Sequence, residues 1–268
     1  MTKLISALPK FYVTSEHLVN TFRVAIQINR LVDGEILRRA VDTAMRRYPY
    51  FSVRTAVENE EYVLLPNDSP VVITHGIEPL RLGSGEANYH LIAFNYEDEM
   101  IFLDCFHGLT DASGLFPLIK TVLYYYLCER EQVKLDSEGI HLADDRIPSE
   151  EIDDPYPESI SEDIQPLGAY KSVQQFRLPE RTGSHASEWT AYHIQIKESD
   201  FMKYSGSHDA GPAALTSALL YKTIQDIHPE TEFPIVCGMA HNIRKELGKP
   251  LAYQSQAMLL HLKYPALM

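Results

Sequence analysis

The chain has 268 residues, 45% of them hydrophobic, and a formal net charge of −13 at neutral pH. This length and apolar content suffice for one large domain or two smaller lobes with packed cores, and the patterns below favour two lobes. The acidic charge argues against nucleic acids and anionic membrane surfaces as partners, because both attract basic proteins. Small-molecule ligands fit this charge better.

The three cysteines, Cys105, Cys128 and Cys237, have no paired spacing. We interpret them as small apolar side chains in a reducing compartment, not as a disulfide framework or a zinc site. The histidines show no spacing typical of metal ligands either, so we expect no metal. No charged and apolar leader opens the chain and no apolar run is long enough to span a membrane. These features predict a cytoplasmic protein.

The first predicted strand covers residues 22–29, where apolar side chains alternate with other residues. A helix follows, with Asp33 as its N-cap and apolar residues at helical spacing until Pro49 ends the pattern. The other face of this helix carries Arg38, Arg39, Arg46 and Arg47. A solvated face is the default interpretation of these arginines, and attraction of an anionic cofactor is the alternative.

Four more strands are predicted at residues 62–65, 71–74, 89–95 and 100–106. The last leads into a helix over residues 115–129, which is apolar around most of its circumference and therefore typical of a helix buried between layers. Several strands and two helices within 130 residues predict an α/β (α+β) fold in which helices pack on a mixed sheet.

The connection between this last strand and its helix contains His107 and Asp111 in a His-x-x-x-Asp pattern. An imidazole at the end of a strand, on a connection that contains glycine, is well placed to act as a general base. A core histidine that ends a strand is the alternative. The pattern alone is weak, because it also occurs at His141 and Asp145, in an acidic stretch where we interpret it as a chance match.

Residues 131–186 are acidic and contain several prolines, which is typical of a crossover linker or a mobile loop. Regular patterns resume with a strand at 191–196, a helix that begins near Pro212 and a strand at 233–239. The predicted organisation is a first lobe at 1–130, a linker at 131–186 and the start of a second lobe at 187–268.

In this order, these features resemble the chloramphenicol acetyltransferase superfamily, in its two-lobed branch of alcohol acetyltransferases and condensation domains. The resemblance rests on the helix ending in Arg47-Tyr48-Pro49, the strand-borne His107-x-x-x-Asp111, the crossover, and Asn242-x-Arg244 after an apolar strand. It spans nearly the whole chain. It implies a chloramphenicol acetyltransferase-like mixed sheet with flanking helices and an incomplete second lobe.

The resemblance implies an acyltransferase in which His107 removes a proton from an alcohol or amine, which then attacks an acyl thioester of coenzyme A or a carrier protein. Acyl-coenzyme A would be a co-substrate, and no cofactor would be resident. Asp111 would pair with an arginine of the later half, here Arg244, and so hold the His107 loop. Gly108 and Asn242 would support the site structurally, and Ser113 would serve as a hydrogen-bond donor.

Three departures from the family pattern bear on activity. Phe106 stands where the paired form has its first histidine, and Ala112 stands where a glycine usually follows the aspartate. The Asp-Phe-Gly-Trp-Gly type motif of the later half is absent. The chain is therefore expected to be a fragment, a form whose gap is covered by self-association, or a shortened relative. The alternative function is a non-catalytic binding or interaction module that retains the fold.

Overall fold

The computed structural model describes residues 20–59, 61–152, 174–179, 194–242, 244–245 and 257–264. Their contacts divide them into two compact units. The first unit holds the described residues up to 152 together with Asn242, Arg244 and Lys245. The second holds the described residues from 174 to 241 together with 257–264.

The first unit is built around a four-stranded mixed sheet. Its described elements are β1 (Thr21–Gln27), α1 (Gly34–Met45), β2 (Val53–Glu58), β3 (Glu61–Pro66), β4 (Ile73–His75), β5 (Ile92–Glu97), β6 (Met100–Phe106), α2 (Ala112–Arg130) and α3 (Ser149–Ile152). The strand order is β1-β6-β5-β4, with β4 parallel to β5 and the other neighbours antiparallel. Strands β2 and β3 form a separate antiparallel pair.

One face of this sheet forms the core with the two long helices. In register, Val24 of β1 and Phe94 of β5 flank Leu103 of β6, and these residues pack with Leu37 of α1 and Leu118 of α2. Alternate residues of a strand point to opposite faces, so the pattern that buries Leu103 directs its neighbour Asp104 to the other face. The mixed sheet with flanking helices confirms the predicted fold class.

Local signals predicted several elements of this unit correctly. Asp33 caps α1, because its side chain accepts hydrogen bonds from the backbone N–H groups of Glu35 and Ile36 at 3.0 Å. Strand β6 has the predicted bounds. Strand β2 was not predicted.

The expectation of a linker after residue 130 is wrong for residues 131–152, which pack against the first unit. The Thr121 hydroxyl donates to the carbonyl of His141 at 2.7 Å, and the backbone N–H of Ala143 donates to the Tyr125 hydroxyl at 2.8 Å. Because polar contacts hold this segment, its few apolar residues did not predict that it would pack against the first unit. Residues 153–173 and 180–186 of the predicted linker lie outside the described residues.

Arg47 contradicts the expectation of a solvated arginine face on α1. Its side chain is 1% exposed and donates two hydrogen bonds to the carboxylate of Glu151, at 2.9 and 2.7 Å. The Tyr50 hydroxyl donates to the same carboxylate. The Arg47–Glu151 pair therefore fastens α3 to the end of α1 from inside the unit.

The second unit contains α4 (Glu198–Ser207), α5 (Pro212–Ile227), β7 (Ile235–Asn242) and β8 (Ala257–Tyr264) among its described residues, and β7 pairs with β8. Asn242, the last residue of β7, belongs to the first unit by its contacts. Pro212 begins α5 as predicted. The strand predicted at 191–196 is wrong where it is described, because residues 194–196 are not in a strand and precede α4.

Helix α5 packs on β7 through a small polar side chain. The Ser217 hydroxyl lies 3.4 Å from the Cys237 sulfur and 3.3 Å from the Met239 sulfur. In the part of the chain that the structure describes, no helix is both long enough and apolar enough to cross a membrane.

Candidate functional site

His107 is the first residue after β6, and the pairing of β6 with β1 fixes its place. Its backbone N–H donates to the carbonyl of Asn20 at 2.7 Å. Its ring meets the ring of Phe22 edge-on, with the centroids 5.1 Å apart. A turn closed by a 2.9 Å hydrogen bond from Leu109 N to Phe106 O carries the chain away from the strand. The half-buried imidazole is thus held from the backbone side and from one ring edge.

Asp111 caps α2 and holds a distant segment with the same carboxylate. Oδ1 accepts from the backbone N–H of Gly114 at 2.9 Å and from Nη2 of Arg244 at 2.7 Å. Oδ2 accepts from Nη1 of Arg244 at 2.9 Å. The anion also lies at the positive end of a helix dipole, which favours its charge. The pairing of Asp111 with Arg244 that the resemblance implies is therefore present in the structure.

Asn242 adds a second attachment between its segment and the start of α2. Its side-chain amide donates to the Ser113 hydroxyl at 3.3 Å, and its side-chain oxygen accepts from the backbone N–H of Arg244 at 3.1 Å. Ser113 is the acceptor in this contact, and its role as a hydrogen-bond donor stays a prediction. With Arg244 only 4% exposed, Asn242 and Arg244 are both anchored against the first turn of α2.

Gly108 lies where a side chain would collide with a neighbour. A Cβ atom built at this position overlaps the ring of Phe106, which is itself 8% exposed. Because Phe106 is packed in the core, the ring has little freedom to move away. The glycine thus lets the His107 turn approach the end of β6 closely.

Sequence reasoning missed Asn20 and Phe22 as residues of this site. Phe22 was predicted only as one apolar position of a strand. The register of β1 against β6 pairs Thr21 with Phe106, and this register puts Asn20 and Phe22 beside His107. Alternation within one strand reveals a face, but it carries no information about the partner strand.

The site combines the imidazole of His107 with the ion pair of Asp111 and Arg244, which holds the following turn. His107 is the candidate general base, and the Asp111–Arg244 pair holds the segment that follows it. In the described ranges, His, Cys, Asp and Glu side chains form no group of three or more that could hold a metal ion.

No family model matches the sequence, and no curated protein does. Solved structures do match the fold. SgcC5 from Streptomyces globisporus, in complex with (R)-(-)-1-(2-naphthyl)-1,2-ethanediol and sucrose, is 12% identical with a TM-score of 0.58 over 92% of this chain and 62% of that chain.

Two further solved structures also have a similar fold. The first condensation domain of the CDA synthetase is 11% identical with a TM-score of 0.57, over 92% of this chain and 64% of that one. TRI101 of F. sporotrichioides, complexed with coenzyme A and T-2, is 8% identical with a TM-score of 0.55, over 92% and 65%.

These likenesses, at 8% to 12% identity, establish the fold. The chain spans less than two thirds of the length of each of the three structures. The fold expected from the sequence resemblance is confirmed.

Proposed function

We propose that this chain, which has the chloramphenicol acetyltransferase-like fold of condensation domains and TRI101, transfers an acyl group from coenzyme A or a carrier-protein thioester to an alcohol or amine. The observation that supports this proposal best is the geometry around His107. An imidazole at the end of β6 is followed, at the end of one turn, by a carboxylate that both caps α2 and binds Arg244. Coenzyme A is present in the TRI101 complex, and a condensation domain is among the similar structures, so both acyl donors are reasonable candidates.

In the proposed reaction, His107 acts as a general base. It takes the proton from the acceptor hydroxyl or amine as the acceptor oxygen or nitrogen attacks the thioester carbonyl. The tetrahedral intermediate then collapses, its carbon–sulfur bond breaks, and the departing thiolate takes the proton from the imidazolium. The products are an ester or amide and a free thiol, and no acyl-enzyme forms. General-base catalysis of this kind contributes roughly 10²- to 10⁴-fold to a rate.

Asp111 and Arg244 act as positioning residues in this proposal. Their three hydrogen bonds fix the first turn of α2 and thereby the end of the His107 turn. Gly108 allows the close approach of that turn to Phe106, and Asn242 holds the segment that carries Arg244.

A cytoplasmic location belongs to the same proposal. The described cysteines Cys105, Cys128 and Cys237 are free thiols, as proteins of a reducing compartment have. Burial raises the pKa of the Cys105 thiol, which makes that cysteine inert and not a nucleophile.

Release of free thiol from acetyl-coenzyme A and longer acyl-coenzyme A esters, with a panel of alcohols and amines, tests the function. We expect acceptor-dependent release that falls at least 100-fold in His107→Ala. His75→Ala is the matched control, because His75 has an exposed side chain beside Glu97. Equal release by wild type and folded His107→Ala would overturn the assignment of the base.

A non-catalytic binding module is the second candidate, and two observations favour it. The chain covers 62% to 65% of the similar structures, and α5 leaves large apolar side chains exposed. Leu219, Leu220 and Ile227 are 45%, 53% and 65% exposed. A folded protein that releases no thiol with any donor and acceptor, and that self-associates in light scattering, would support this alternative.

A further inference from the structure

Asn20 lies directly opposite His107, at the start of the neighbouring strand. The register of β1 against β6 pairs Thr21 with Phe106, and one further step of the same register pairs Asn20 with His107. The 2.7 Å hydrogen bond from His107 N to the carbonyl of Asn20 shows that the pairing continues one residue beyond both strands. The backbone of Asn20 is therefore fixed at the candidate site.

The side chains of Asn20 and His107 share one face of the sheet. Residues directly opposite each other in an antiparallel pair point to the same face, with their Cβ atoms about 5 Å apart. Residues two apart in one strand share a face as well. The contact between the rings of Phe22 and His107, with centroids 5.1 Å apart, agrees with this assignment. The Asn20 amide and the imidazole are therefore neighbours at the end of the sheet.

The side-chain amide of Asn20 is a donor that the surrounding structure does not use. Asn20 is exposed, and its side chain makes no hydrogen bond within the part of the chain that the structure describes. The other polar groups of the site are engaged: the amide of Asn242 donates to Ser113, and Arg244 donates twice to Asp111. The two N–H groups of the Asn20 amide thus remain available to a substrate.

The proposed reaction needs a hydrogen-bond donor beside its base. Attack of the acceptor on a thioester moves negative charge onto the carbonyl oxygen, and donors aimed at this oxygen stabilise the transition state. His107 takes the proton of the acceptor in the proposed mechanism, so the oxyanion requires a separate group. Side-chain amides of asparagine serve as such donors in enzymes that transfer acyl groups.

We propose that Asn20 is a second catalytic residue, whose side-chain Nδ2 donates a hydrogen bond to the thioester carbonyl oxygen as the acceptor attacks. This hydrogen bond strengthens as the oxygen becomes negative in the tetrahedral intermediate. It weakens again when the carbon–sulfur bond breaks and the carbonyl re-forms, and no bond to Asn20 forms or breaks. The inference rests on the proposed acyl transfer with His107 as the base.

Asn20→Ala and Asn20→Asp test the direction of this hydrogen bond, with kcat for thiol release as the measurement. Asn20→Ala removes the donor, and kcat should fall about 100-fold. Asn20→Asp preserves the shape but replaces the donor by an anion next to the oxyanion, so its kcat should be lower still. An asparagine that supported the imidazolium through its oxygen would give the opposite order, because a carboxylate binds a cation more strongly. Higher kcat in Asn20→Asp than in Asn20→Ala would overturn the proposal.

The same kinetics separate stabilisation of the transition state from binding of the substrates. A donor that acts on the oxyanion contributes mainly after binding, so the KM values for acyl-coenzyme A and for the acceptor should stay nearly unchanged in both variants. The melting temperature should also stay unchanged, because the side chain is exposed and the backbone hydrogen bond to His107 N is retained. A loss carried by KM alone would overturn the proposal.

Asn29→Asp is the matched control for Asn20→Asp. Asn29 is also an exposed asparagine of the first unit, but it lies beyond the other end of β1. The control adds the same charge to the same unit without touching the candidate site, so its kcat should equal that of the wild type. An equal loss in the two variants would assign the effect to charge in general and overturn the role of Asn20.

Comparison with His107→Ala separates this inference from the proposed function. Thiol release that depends on both His107 and Asn20 would support both proposals. Release that depends on His107, with full kcat in Asn20→Ala and Asn20→Asp, would overturn only the role of Asn20. A folded wild-type protein that releases no thiol with any donor and acceptor would overturn both.

Discussion

The first unit contains several bidentate arginine–carboxylate pairs, and two of them, Arg47–Glu151 and Arg244–Asp111, differ in their surroundings. Arg47 and Glu151 are 104 residues apart in the chain, and Arg244 and Asp111 are 133 apart. The side chains of the first pair are 1% and 7% exposed and meet the Tyr50 hydroxyl. The side chains of the second pair are 5% and 16% exposed. Its aspartate is the N-cap of α2, four residues after His107.

The different surroundings of the two pairs indicate different roles. The Arg47–Glu151 pair supports the core, and the Asp111–Arg244 pair positions the candidate site. Burial raises the pKa of Tyr48, next to Arg47, to about 12, and it also raises the pKa of Tyr50. Both tyrosines and both members of the pair are at most 7% exposed, so the pair is shielded from water. Asp111 instead shares its carboxylate between a helix end and an arginine, at the end of the turn that follows the proposed base. The same ion-pair chemistry thus serves the core in one place and the candidate site in the other.

Removing one partner of the buried pair should have the largest effect on stability. Glu151→Ala leaves the Arg47 guanidinium buried without its counter-charge, and we expect a loss of about 3–5 kcal/mol in the free energy of unfolding. Urea denaturation measures it. The double variant Arg47→Met with Glu151→Leu should recover much of the loss, because apolar side chains need no counter-charge. A loss below about 1 kcal/mol in Glu151→Ala would contradict the structural role.

Asp111→Asn should have a smaller effect on stability and a clear effect on the reaction. Asparagine still caps α2, but it cannot accept both hydrogen bonds from Arg244 as an anion. We expect a loss of about 1.5–3 kcal/mol in urea denaturation, as for a hydrogen bond to a charged group, together with a lower kcat for thiol release.

Arg244→Lys provides the companion variant for Asp111→Asn. It retains the charge and loses the two-pronged geometry, so its kcat should also fall. Full activity in both variants would show that the Asp111–Arg244 pair does not position His107.

A buried neutral histidine should make the first unit sensitive to pH independently of either ion pair. Burial lowers the pKa of His90 below its usual 6.5, while Nε2 lies 2.6 Å from the carbonyl of Ser69. The unfolded chain therefore binds the proton more readily than the folded protein. Stability should be fully present above about pH 6.5 and decline as the pH falls below it.

Urea denaturation between pH 7.5 and 5 measures the contribution of His90. His90→Gln should flatten the pH dependence, whereas His75→Gln, at an exposed position, should leave it nearly unchanged. A wild-type slope that persists in His90→Gln would assign the effect to other groups.

The smallest effect is expected for an arginine–carboxylate pair on the surface. Arg39 and Glu129 approach to 2.6 Å, but their side chains are 54% and 37% exposed. Water and salt screen such a pair, so the melting temperature of Arg39→Ala should remain within experimental scatter of the wild type. A large drop would mean that solvent exposure does not distinguish the three pairs.

Local chemistry made much of the first unit predictable. Asp33 predicted the start of α1, because an N-cap side chain binds backbone amides two and three residues away. The pattern of β6 and the helical spacing of α2 predicted that His107 and Asp111 lie in the connection between these two elements. Strand β2 and the packing of residues 131–152 escaped prediction. Their partners are a second strand and scattered polar groups, which leave no periodic signal in the segment itself.

Three features could be predicted from the sequence alone: the mixed α/β class, the position of the candidate base and, through the resemblance, the pairing of Asp111 with Arg244. They depend on short-range spacing and on the order of motifs along the chain. The burial of Arg47 against Glu151 and the contact of Phe22 with His107 became visible only in the folded protein. Burial and strand register arise when segments far apart in the chain pack together. Composition and periodicity describe one segment at a time, so they contain no information about burial or strand register.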